Sequence, residues 1–180
     1  MRIQVVLLAV ALWTGIMVAP QGVQAEGIPT KVMVRAFARD AKAIADAVSG
    51  ARITIRDVAT GTVLAEGIQK GKSGSTELIM NQPRERGAMV FNTPGTAGFQ
   101  ATLMLERPTV VEVTAEGPLG APQAMQRASK TLLLVPGQDV LGEGILLEIH
   151  GYIVELESPA SDFRPTAGER VEVRAKVTMA

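Results

Sequence analysis

Short runs in which apolar and polar side chains alternate one for one, each closed by Gly or Pro, fill nearly all of this chain from residue 31 onward. That period narrows what the chain can become, because successive side chains of an extended strand point to opposite faces of a sheet. Lys31–Arg39 sets Val32, Val34, Ala36 and Ala38 against Met33, Arg35, Phe37 and Arg39. Arg52–Asp57 puts Ile53 and Ile55 on one face, with Arg52, Thr54 and Arg56 on the other. Thr62–Gly67, Gly98–Leu105, Thr109–Ala115, Lys130–Val135, Gly144–Glu157 and Val171–Met179 repeat the pattern. Eight such runs predict an all-β, mainly antiparallel sandwich of about seven or eight strands. With 3% aromatic residues, its core must be filled by Val, Leu, Ile, Ala and Met.

Two places depart from simple alternation. In Asp40–Val48, Ala41, Ile44, Ala45 and Val48 fall at i, i+3, i+4 and i+7 behind a capping Asp40, which predicts one short helix or, given its length, a structured loop. Around Gly151 the apolar parity switches from Ile145, Leu147 and Ile149 to Val154 and Leu156, which predicts a β-bulge at Gly151. The final run stops one residue from the end of the sequence, so it is either paired or an open edge suited to docking.

Residues 1–25 read as a secretory signal peptide. Arg2 supplies the charge, Val5–Ala19 the apolar run, and Val23-Gln24-Ala25 the small residues before cleavage at Glu26. The run is shorter than the ~20 residues of a spanning helix, and no other stretch is apolar enough, so no membrane span is expected after cleavage. Removing 25 of 180 residues leaves 155, one domain at 26–180, with 17 basic and 18 acidic residues. An exported domain with no cysteine fits a bacterial periplasm better than a eukaryotic secretory route.

Composition removes several classes of function. Balanced charge lacks the basic footprint of a nucleic-acid binder. Without cysteine there is no disulfide framework, thiolate nucleophile or thiolate metal site, and a single His rules out a His cage within one chain. No cofactor is expected.

Candidate binding residues are few. The segment Asn81–Gly87 (NQPRERG) is the most loop-like polar stretch, and Arg84, Glu85 and Arg86 could grip a carboxylate, phosphate or partner protein through guanidinium forks. His150, with Glu148 and Tyr152 two residues away on either side, is the one constellation suited to a metal or a general base; a solvent-side polar stripe on a strand is the reading that prevails. Six methionines follow the leader: Met33, Met80, Met89, Met104, Met125 and Met179. Soft thioethers suit Cu(I), but no two sit at Met-x-Met or Met-x-x-Met spacing, and gap-filling in the core is their default use. Asp57, Glu66, Glu77, Asp139 and Glu143 lie near turns and read as turn chemistry, not a calcium loop.

Two stretches resemble transthyretin-like or carboxypeptidase-regulatory-like domains, a group of Ig-type sandwiches. Ala51–Gly74 has a small residue entering a β-branched strand, then Asp57, a Thr60-Gly61 turn, a return strand and Ser73-Gly74. Thr96–Gly117 has a Gly98-Phe99 strand start, then Leu103, Leu105, Pro108 and an alternating Val run. Ser75–Pro94 is an insertion between them. The resemblance implies a structural or binding module. The hydrolytic branch of that group uses several His with Arg and a Tyr-Arg-Gly-Ser ending, whereas this chain has only His150 and ends Val177-Thr178-Met179-Ala180.

The expectation is therefore an exported, non-enzymatic sandwich that contacts another cell-envelope protein, or a second copy of itself through a strand edge. A periplasmic copper or small-ligand binder, with His150, Glu148 and the methionines as the plausible copper ligands, is the alternative. A transthyretin-like hydrolase is the least favoured.

Overall fold

A computed structural model describes residues 26–39 and 41–180; the expected signal peptide and the Asp40 cap lie outside the described residues. Nine strands form among them: β1 (Ile28–Ala38), β2 (Arg52–Asp57), β3 (Val63–Ile68), β4 (Phe99–Leu105), β5 (Thr109–Gly117), β6 (Gln126–Leu134), β7 (Val140–Ile149), β8 (Tyr152–Ser158) and β9 (Arg174–Met179). Seven of them build an all-β sandwich, with the order β4-β1-β7 in one sheet and β3-β2-β5-β6 in the other. The alternation that defined the strands also defines the core. Val32, Val34, Ala36 and Ala38 of β1 meet Ile53 and Ile55 of β2, Val111, Val113 and Ala115 of β5, and Ile145, Leu147 and Ile149 of β7. The facing polar set, Arg52, Thr54 and Arg56, points away from it.

The sandwich is not wholly antiparallel. β1 runs parallel to β7, while its other neighbour, β4, is antiparallel to it. Nor does an α-helix form over residues 41–48. Ala41, Ala43, Ile44 and Ala45 are buried, yet they cross the open end of the sandwich in an irregular path that ends in one 3-10 turn at Asp46–Val48. Their backbone N–H groups donate to carbonyls of neighbouring segments, Ala43 to Ser73 and Ile44 to Ala36, so a helical ladder has nothing left to satisfy.

The parity change at Gly151 is not a bulge either. β7 ends at Ile149 and β8, starting at Tyr152, leaves the sandwich to pair with β9 in a separate two-stranded ribbon. The bulge lies earlier in the same run. Between Val32↔Val140 and Val34↔Ile145, β7 spends five residues where β1 spends two. Gly142 and Gly144 both take φ near +72°, and a Cβ on Gly144 would run into the Met33 carbonyl, so glycine is required there.

Toward its end β1 is covered on its outer face as well, where Arg35 is buried and Met33 and Phe37 are half-buried. Outside the sandwich, the insertion between the two halves folds over it, using a single π turn (Glu77–Asn81) and the segment that follows. Ile79, Val90 and Phe91 pack on Phe37 and Leu146, and the Phe37 and Phe91 rings lie 4.8 Å apart. Arg35 ties the insertion down. Its Nη1 donates to the Thr96 and Ala97 carbonyls at 2.8 and 2.7 Å, and its Nη2 reaches Asn92 Oδ1. Burial lowers the Arg35 pKa, opposed by the Glu143 carboxylate. The Gly142/Gly144 bulge carries that carboxylate, whose Oε1 also accepts the Phe91 N–H at 2.8 Å.

Candidate interaction site

The C-terminal ribbon is the part of the molecule whose chemistry is least satisfied. Its register sets Tyr152 opposite Met179, Val154 opposite Val177 and Leu156 opposite Ala175. Period two therefore gathers all six side chains on one face. Tyr152, Val154, Leu156, Val177 and Met179 are each more than half exposed. The opposite face is polar beyond its base: Glu155 sits across from Lys176, and only Ile153, across from Thr178, is buried. The base is anchored. β8 packs on the 3-10 turn Pro122–Ala124, the Ala180 N–H donates to the Gly151 carbonyl at 2.7 Å, and Ala180 rests against the sandwich core. The connecting segment 159–173 and the outer strands stand clear of the body.

Beside the anchored base lies an apolar hollow lined by Ala43, Ala45, Ala47, Val48, Met179 and Ala180, with Lys42 and Ser73 at its rim. Met179 belongs both to the hollow and to the apolar ribbon face, so the two make one continuous surface.

The residues singled out from sequence fall elsewhere. Arg84 lies on the insertion with its guanidinium 5.5 Å from the centroid of the Phe91 ring and Nη2 3.4 Å from the Ile79 carbonyl, so it serves partly as a cover for the small cluster beneath. Glu85 and Arg86 are exposed on the same loop, bent by Gly87 at φ +83°. His150 is exposed at the β7–β8 turn, and Tyr152 belongs to the ribbon, so the three-residue stripe expected around His150 is split between two sheets. Glu148 is engaged by Arg39 at 2.6 Å. No group of three or more His, Asp or Glu converges among the described residues.

Of the six methionines, only Met33 is shielded. Met80, Met89, Met104, Met125 and Met179 are all at least two-fifths exposed and spread over different elements, which corrects the expectation that they fill the core. The turn acids behave as structural groups. Asp57 Oδ1 accepts the Ala59 and Thr60 N–H groups, and Asp139 Oδ1 accepts the Lys31 N–H at 2.7 Å. The outer face of the four-stranded sheet is polar and self-paired, with Arg127 between Glu112 and Glu116 at 3.9 Å each and Arg56 in register with Glu112.

Sequence reasoning missed Arg35, Gln69 and the ribbon face. Nothing local marks the first two, because their burial depends on segments distant in sequence. The ribbon left a signal: its two runs put three apolar residues each at the same parity, which reads as core until the partner strand is known. No protein-family model, no curated protein and no solved structure matches this chain.

Proposed function

We propose that this chain is an exported, non-enzymatic module of the bacterial periplasm that works by binding another protein, with the C-terminal ribbon as its docking element. The exposed apolar face of the ribbon carries the reading. Contiguous apolar surface of that kind is rare on soluble monomers unless it meets a partner. The leader pattern of residues 1–25 supports export, and the cysteine-free composition supports the periplasm. The transthyretin-like resemblance belongs to this reading and rests on the two sequence motifs. Ala51–Gly74 supplies the β2–β3 hairpin of one sheet, and Thr96–Gly117 supplies β4 and β5, one strand to each sheet.

The test is a photocrosslinking amino acid placed at Leu156 in the producing cell's envelope, with the same probe at Thr131 on the edge strand β6 as a control. A discrete protein adduct at Leu156 and none at Thr131 is the expected result. Equal, diffuse labelling at both positions would remove the ribbon as a docking element.

A further inference from the structure

The ribbon face needs an occupant, and three observations identify it. The first concerns lipid. β8 has seven residues and β9 has six, whereas a membrane-crossing strand needs about nine to eleven. From Tyr152 to Ala180 the chain carries four basic and five acidic side chains, so it has no basic excess to hold an anionic bilayer surface. Lipid is a poor fit.

The second concerns area. Five large side chains, each more than half exposed, put the face on the order of 500 Å², the upper end of what a monomer shows. Two such faces laid together bury about 1,000 Å², the level at which a specific interface becomes sustainable. The face itself holds no charged side chain, so a second copy meets no like-charge repulsion there.

The third is shape. The rows along the ribbon are Tyr152/Met179, Val154/Val177 and Leu156/Ala175, running from bulky at the base to small at the outer end. A two-fold axis through the middle row, in the plane between two stacked ribbons and perpendicular to their strands, sets Tyr152 of one copy over Leu156 of the other. The same axis sets Met179 over Ala175. Bulky rows then meet smaller ones, and the summed side-chain volume stays even along a gap of about 10 Å. This stacking also carries each outer segment 159–173, with the part-exposed Phe163, toward the other copy's base, where the apolar hollow beside Met179 lies.

We propose that the chain forms an isologous dimer in which the two C-terminal ribbons stack face to face, antiparallel, about Val154 and Val177. This rests on the binding-module reading and names the partner as a second copy. The absence of cysteine gives a clean background for the test. Sedimentation equilibrium of the purified protein should show a concentration-dependent dimer. Val154→Lys combined with Val177→Lys should weaken it more than ~10-fold while leaving the melting transition of the dilute, monomeric protein in place, because both side chains face solvent in the single chain. For the geometry, Val154→Cys should self-crosslink with a short bis-maleimide, and a mixture of Tyr152→Cys and Leu156→Cys chains should crosslink to each other more than either does to itself.

A folded wild-type protein that stays monomeric at every concentration would overturn the dimer. If a photocrosslink at Leu156 to a different protein persisted in that case, the binding-module reading would survive alone. A dimer unaffected by the double lysine variant would place the contact elsewhere and also overturn the proposal, as would flotation of the monomer with phosphatidylglycerol vesicles.

Discussion

Two apolar sheet faces point away from the sandwich core, and the chain treats them differently. The outer face of β4-β1-β7, with Phe37 and Leu146, is roofed by the insertion through Ile79, Val90 and Phe91 and pinned by Arg35 and Glu143. The ribbon face, with Tyr152, Val154 and Leu156, has no roof among the described residues. The two faces have similar strand chemistry, but different connections lie next to them. Residues 75–94, which follow β3 of the other sheet, cross over to cover β1 and β7, whereas residues 159–173 turn back only to make the second strand of the ribbon. An apolar face covered from within stabilises the fold; one left open is available for association.

The contrast can be broken at either end. Phe91→Ala should cost the most, about 4 kcal/mol by urea unfolding, because it removes the centre of the roof and leaves Phe37 without its ring contact. If the loss were below ~1 kcal/mol, the insertion would not be functioning as a roof. Arg35→Leu comes next, at about 2–3 kcal/mol, since the Thr96 and Ala97 carbonyls lose a charged donor while remaining buried. Faster proteolysis within residues 75–95 than elsewhere would localise that loss to the insertion. Arg84→Ala should remove only the guanidinium over Phe91, costing ~0.5–1 kcal/mol, and leave partner capture unchanged if the ribbon is the docking element. Leu156→Ser sits at the opposite pole. Its effect on thermal unfolding of the dilute protein should be within ~0.5 kcal/mol, while association is impaired. A large loss of stability there would mean that the ribbon face is already covered.

Much of this was legible in the sequence, for a physical reason. Ile53 and Ile55 turn inward and Arg52, Thr54 and Arg56 outward whichever strands flank β2, because strand parity is local. The pairing of strands is not local, so the parallel contact of β1 with β7 left no trace. Arg35 shows the cost: its parity marks it as outward and solvated, yet it is 5% exposed, because a segment some sixty residues later lies over it. Gly142 and Gly144 read as punctuation and proved to shape a bulge that aims Glu143, while Gly151, the expected bulge, marks the end of a sheet. Among the candidate residues, Arg84, Glu85 and Arg86 are exposed, but Arg84 is half committed to covering Phe91. The alternation of β9 reads as a strand of its own, but that of β8 reads as the tail of one bulged strand continuous with β7; that the two pair only with each other is not legible without the fold.

Gln69 carries one more consequence. Pairing of β4 with β1 runs out after Val34↔Phe99, and beyond it β1 meets only the returning segment 42–44, through one Phe37↔Ala43 bridge. The fully buried Gln69 side chain fills the gap between the two: Oε1 accepts the Ala36 N–H at 2.6 Å, and Nε2 donates to the carbonyls of Ala36 and Ile44. One amide thus imitates a missing strand, and an invading peptide finds both backbone groups of Ala36 already taken. The sandwich is latched shut against strand exchange at its most central strand, which leaves the ribbon free to be sticky without putting the fold that carries it at risk.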